Sequence, residues 1–134
     1  MTNVRFDNGK RVIENWNQVF KAVSVEPRRQ LIVSLMDSET ADSVPLPESA
    51  MNPNVPVEAE SLRVELYHTH LPILARNEFI EWEMDPLRAS RGRRFNEVAV
   101  VFESLHSTAT DTPDSLVIGC QRLEEERQNI PDNE

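Results

Sequence analysis

The chain has little of several things. Cys120 is its single cysteine, which excludes an intrachain disulfide framework. Gly9, Gly92 and Gly119 are its only glycines, each isolated, so no glycine-rich phosphate loop is present. Lys10 and Lys21 are its only lysines, and the remaining basic residues are all arginine. No window approaches the roughly 18 consecutive apolar residues of a membrane span. The opening MTNVRFDNGKRVIENW lacks the apolar core of a signal peptide. A soluble, cytoplasmic protein is therefore expected.

The 134 residues fit one domain with a tail. Acidic residues number 23 against 14 basic ones, for a formal charge of −9. That balance is the wrong sign for a polyanion partner. It also fits a protein adapted to high salt, whose carboxylates keep it hydrated. At molar salt the Debye length is about 3 Å, and net charge then steers little.

Residues 1–12 are polar and read as a flexible N-terminus. Ile13, Trp16, Val19, Phe20 and Val23 recur at helical spacing with one apolar face. Pro27 suits the first turn of a second helix, where a missing N–H costs nothing. Leu31, Ile32, Leu35 and Met36 form that helix's apolar face. Arg28 and Arg29 sit in its first turn, against the helix dipole, which suits an outward, anion-facing role. Four prolines between 45 and 56 exclude one long helix there, although a short one over 47–51 is possible. A third helix is expected over 58–76, with Val64, Tyr67, Leu71 and Leu74 buried and Leu62, Leu66 and Ile73 as a neighbouring stripe. Ser61, Glu65, His68, Thr69 and Arg76 lie opposite, and Pro72 predicts a kink. Alternation at Phe79, Ile80 and Trp82 reads as a strand. The turn-prone DPLRASRGRR follows, with a return strand at 93–95. Val98, Val101, Phe102 and Leu105 mark a fourth helix over 96–106. STATDTPD reads as a hinge, SLVIGCQRLEEERQ as a short helix, and 128–134 as a disordered tail.

Three helices followed by a hairpin is the winged-helix order, so the expected fold class is α+β, mostly α. It has a three-helix core, a two-stranded wing and a C-terminal helix. A helix fits the major groove, where base edges are distinguishable, and a hairpin can lie along phosphates. Arg88, Arg91, Arg93 and Arg94 make the wing segment basic in an acidic chain, and guanidinium groups suit bidentate phosphate contacts. VFKAVSVEPRRQLIVSLM (19–36) resembles the opening of ArsR-type winged-helix regulators, and HLPILARNEFIEW (70–82) resembles the end of their recognition helix and first wing strand. ELYHTHLP, LAR and RGRRFNEVAVVFESLH have near counterparts in a haloarchaeal group of winged-helix proteins. The resemblance covers residues 13–107, leaving 108–127 as a C-terminal segment. It implies a halophilic source and a DNA-binding transcriptional regulator. Ser61, His68 and Thr69 would face the major groove. Arg88, Arg91, Arg93 and Arg94 would hold phosphates or the minor groove, and Arg28 and Arg29 would support the backbone contact. It also implies a homodimer formed through the first and last helices; Trp16, Val19, Phe20 and Val23 and the face from Val98 to Leu105 read either as intramolecular core alone or as a core that extends to that seam. The ArsR-type cysteine metal motif is absent.

One feature of the third helix runs against base readout. Its outer face holds Glu65, His68 and Thr69, with Arg76 as the cation at its far end. A winged helix that binds protein rather than DNA is the alternative. His68 and His70, two residues apart on a helix, point in different directions and lack a partner at ligand spacing, so no metal or other cofactor is expected. No nucleophile motif appears, and the expectation is a non-enzyme.

Overall fold

The computed structural model describes residues 4–129 and is α+β, mostly helical, around one small antiparallel sheet. Helix α1 (Val4–Ala22) starts well before Ile13, which corrects the expectation of a flexible segment over 1–12. Residues 1–3 lie outside the described residues. Only Val19 and Ala22 of α1 are buried, and every residue from 4 to 17 is exposed. The expected apolar face is thus divided. Val19 and Val23 turn inward, whereas Ile13, Trp16 and Phe20 face solvent.

Helix α2 (Glu26–Asp37) carries Pro27 in its first turn, as its fixed φ favours. Leu31, Ile32 and Leu35 are fully buried and form the centre of the core. Each contributes about 1.5–3 kcal/mol by leaving water. Strand β1 (Ser43–Pro45) and a 3₁₀ turn (Glu48–Ala50) follow, in the proline-rich stretch expected to be loop with a short helix. Val44, Leu46 and Ala50 tuck inward and anchor this connection.

The third helix has three parts: α3 (Ala59–Glu65), a π-turn (Leu66–His70) and α4 (Leu71–Arg76). The disturbance expected at Pro72 is therefore a π-turn just before it, one of the ways a helix absorbs an interrupted hydrogen-bond ladder. Leu62, Leu66, His70, Leu71 and Leu74 are buried. Val64 and Tyr67, expected in the buried stripe, are exposed, because the stripe of Leu62 and Leu66 faces the core instead.

Strands β2 (Ile80–Glu83) and β3 (Arg88–Arg91) form the hairpin, and β3 is the middle strand of the order β1-β3-β2. Ala89 pairs with Trp82 on one side and Val44 on the other. The return strand thus lies earlier than the 93–95 expected. Helix α5 (Phe95–Ser107) buries Phe95, Val98, Phe102 and His106, while Leu105 faces solvent. The segment read as a hinge packs down: a 3₁₀ turn (Ala109–Asp111) and helix α6 (Asp114–Val117) bury Ala109 and Val117 completely. The single C-terminal helix expected is two helices. Gly119, with φ +96, breaks the chain before α7 (Gln121–Asn129). Of the expected disordered tail, 128 and 129 end α7, and the rest lies outside the described residues.

Candidate nucleic-acid interface

The outward face of α3 and the π-turn carries Ser61, Glu65, His68 and Thr69, all exposed as expected. Glu58 caps α3 by accepting from the Ser61 backbone N–H at 2.6 Å. That hydrogen bond is the main cause of the lowered Glu58 pKa. Tyr67 stands edge-on to Trp82 of β2 with ring centres 5.8 Å apart, so the helix and the hairpin are held together. His68 packs edge-on to Tyr67 at 4.9 Å. Two cations flank this face, the half-buried Arg63 and the exposed Arg76. Neither guanidinium forms a hydrogen bond or ion pair with the described residues. Arg63 escaped the reading of the sequence, although its place in α3 was legible there. Glu60 and Glu65 offset both, so the helix is electrically neutral from 59 to 76.

The arginines expected to form an outward, basic wing are mostly turned inward, which corrects that expectation. Arg88 donates to Ser43 Oγ and the Ser43 carbonyl, both at 2.7 Å, and stitches β3 to β1. Arg91 reaches the end of α2, donating to the carbonyls of Leu35 at 2.8 Å and Ser38 at 2.9 Å. Arg94 bonds Glu97, Gln18 and the Asn77 carbonyl, and lies over the Phe79 ring at 5.1 Å. Its pairing with Glu97 lowers the Glu97 pKa. Arg93 alone of the four is exposed, and it forms a two-pronged pair with Glu78 at 2.6 and 3.0 Å. The hollow beside it, lined by Glu78, Glu81, Trp82 and Gly92, sets two carboxylates against this one guanidinium.

Arg28 is buried rather than outward, which also corrects expectation. Its fork takes the carbonyls of Lys21 and Ala22 at the end of α1, at 2.9 and 3.2 Å, and Ser24 Oγ at 2.9 Å. Its remaining nitrogen meets His70 Nδ1 at 3.0 Å. Burial, then the charge of Arg29, lowers its pKa. Arg29 is half-exposed and bonds Val23 O and Glu26. Guanidinium groups satisfy several carbonyls at once, and an arginine-rich, lysine-poor chain uses them here as internal clamps.

Because Arg28 can only donate, His70 Nδ1 must accept, and its proton sits on Nε2. That Nε2 is buried and has no partner among the described residues. Burial and the Arg28 charge lower the His70 pKa, with Glu65 opposing. His106 is similar: burial and Arg122 lower its pKa against Glu126 and Asp37. Above the ordinary value of 6.5 both histidines are neutral folded or unfolded, and stability is complete. Below it the unfolded chain takes up protons that the folded chain refuses, so stability falls with pH. Melting temperature should therefore drop between about pH 7 and pH 5. His70→Gln, which keeps an acceptor for Arg28, should flatten that slope; an unchanged slope counts against this assignment.

Among the described residues, no group of three His, Cys, Asp or Glu side chains is placed to hold a metal ion, and no helix is long and apolar enough to cross a membrane. Comparison of the chain with protein-family models, curated proteins and solved structures returns no match.

Proposed function

We propose that the protein is a winged-helix DNA-binding regulator, with α3, the π-turn and α4 as the groove-facing helix and β2–β3 as the wing. The carrying observation is the solvent-facing row of Ser61, Glu65, His68 and Thr69 on a helix fixed to the hairpin through Tyr67 and Trp82. The connection of β1 to the return strand β3 is consistent with the three-stranded sheet of such domains. Ser61, His68 and Thr69 supply hydrogen-bonding groups for base edges. Arg63, Arg76 and Arg93 are the phosphate anchors in this reading, Arg93 by exchanging Glu78 for phosphate. Arg28, Arg88, Arg91 and Arg94 act indirectly, by holding the frame. The acidic, lysine-poor composition fits a halophilic cell interior.

The test is fluorescence anisotropy with duplex DNA in KCl from about 0.1 M upward. Three phosphate contacts give a slope of about −3 in log affinity against log salt. Arg63→Glu with Arg76→Glu should abolish binding while the melting temperature holds. Failure to bind at every salt concentration where the fold persists excludes the reading.

A protein-binding winged helix is the second reading, favoured by the neutral helix and by Val64 and Tyr67, which are 55% and 40% exposed on it. It expects no DNA binding, and a stoichiometric protein partner that is lost on Tyr67→Ala.

A further inference from the structure

Ser61, Glu65, His68 and Thr69 form the outward row of the groove-facing helix, and they differ in what they can recognise. A hydroxyl donates or accepts, and an imidazole does either according to its tautomer. Ser61, His68 and Thr69 can therefore adapt to most base edges. A carboxylate only accepts, so Glu65 is the member of the row whose demand is fixed. It lies four residues after Ser61 and three before His68, in the middle of the row. Its carboxylate forms no hydrogen bond or ion pair with the described residues. It ends α3 immediately before the π-turn, an irregularity frequent at functional sites.

We infer that Glu65 is the base-selecting residue of this face and that it selects cytosine. The inference rests on the DNA-binding reading above. In the major groove guanine presents two acceptors, N7 and O6, and thymine presents an acceptor and a methyl group. Neither gives a carboxylate anything to accept. Adenine offers its N6 amino group beside the N7 acceptor, which repels the second carboxylate oxygen. Cytosine offers its N4 amino group with no acceptor beside it on the same base. A carboxylate brought between two rows of phosphates is repelled by both. The charge-assisted hydrogen bond from a cytosine amino group offsets that repulsion. Glu65 thus weakens binding at every wrong sequence and permits it at the right one. The neutral charge of residues 59–76 acts in the same sense. Attraction to phosphate is held down, and discrimination falls to the base contact. Such a contact also persists in concentrated salt. At about 1 M the Debye length is about 3 Å, and only groups in contact still act on one another.

The test is enrichment of sites from a random duplex pool by the wild type, Glu65→Ala and Glu65→Gln in about 0.15 M KCl. Wild-type sites should share a C·G pair at a fixed position. In anisotropy titrations, replacing that pair should weaken the wild-type complex at least ~10-fold. Glu65→Ala should bind all four pairs at that position alike and keep the rest of the site. It should also bind random duplex more tightly than the wild type, because a repelling charge is gone. Glu65→Gln should turn the preference to A·T, since an amide bonds both N6 and N7 of adenine. Both variants should melt with the wild type, because Glu65 is exposed. Wild-type sites without a common C·G pair overturn the inference. So does a Glu65→Ala site that retains the pair, or Glu65→Ala binding to random duplex that is no tighter. In each of these cases the protein still binds DNA, and the DNA-binding reading stands. Failure of the wild type to bind any duplex removes both.

Discussion

Replacing Gly92 with alanine is expected to cost about 3 kcal/mol of folding stability, at the upper end of what overpacking does. The added Cβ would stand 2.4 Å from Glu78 O, 2.7 Å from Ile80 N and 2.8 Å from Phe79 C. All three are backbone atoms, so no rotamer change relieves the clash. The close approach is fixed from both sides. The Gly92 N–H donates to Phe79 O at 3.0 Å, and the Arg94 N–H donates to Glu78 O at 2.8 Å. Nor can the opposing segment retreat easily. It is the end of α4, where Phe79 N–H donates to Leu74 O and Glu78 N–H to Ala75 O. That pattern is a Schellman closure, with Glu78 in the left-handed region at φ 63. A glutamate there is strained, and its ion pair with Arg93 offsets part of that strain. Gly92→Ala must therefore move the start of β2 away from the strand-to-helix junction or break the closure. Urea denaturation reads the result as a fall in midpoint at constant slope. A loss below about 0.5 kcal/mol would mean that the approach is looser than the geometry describes.

The helices were legible because their signals are local. Pro27, the apolar run of α2 and the period of α5 each specify an element within a few residues. The sheet was half legible. Strand β2 alternates, but β3 has Ala89 as its one buried residue between arginines and a serine. A central strand whose outer side chains reach sideways, as Arg88 and Arg91 do, leaves no apolar alternation to read. Strand β1 is three residues long and ends in Pro45, which an edge strand tolerates. In the third helix two apolar stripes competed, and periodicity could not choose between them once a π-turn intervened. The exposed row at Ser61, His68 and Thr69 followed from that pattern all the same. The arginines misled for a different reason. A guanidinium bound to a carbonyl more than fifty residues away leaves no trace in local composition, so an internal clamp and a phosphate anchor look identical in sequence.

Arg91 shows what that confusion does to experiment. Helix α2 has no basic residue in its last turn, where the dipole favours a cation. Arg91 supplies that charge from β3, bonding Leu35 O through both Nε and Nη2 and reaching Ser38 O. Its guanidinium also lies 5.1 Å over the Phe95 ring at the start of α5. One side chain thus joins α2, the sheet and α5. Hydrogen bonds from a charged donor contribute about 1.5–3 kcal/mol each, and they are not additive on one group. Arg91→Ala should therefore cost about 3 kcal/mol, with Ser38 O losing its donor. Arg91→Lys should recover only part of this, because an ammonium keeps the charge but lacks the planar fork. Denaturation midpoints of the two variants, measured beside Arg93→Ala, separate the roles. Arg93 is an exposed pair screened by solvent, and its loss should move the midpoint far less than loss of Arg91. If Arg91→Ala is as stable as Arg93→Ala, the clamp is wrong and Arg91 is available to a ligand. If it is destabilised as expected, weaker DNA binding by an Arg91 variant reports a loosened frame. Charge reversal at Arg63 and Arg76, whose guanidinium groups bond nothing in that frame, is then the discriminating test of phosphate contact.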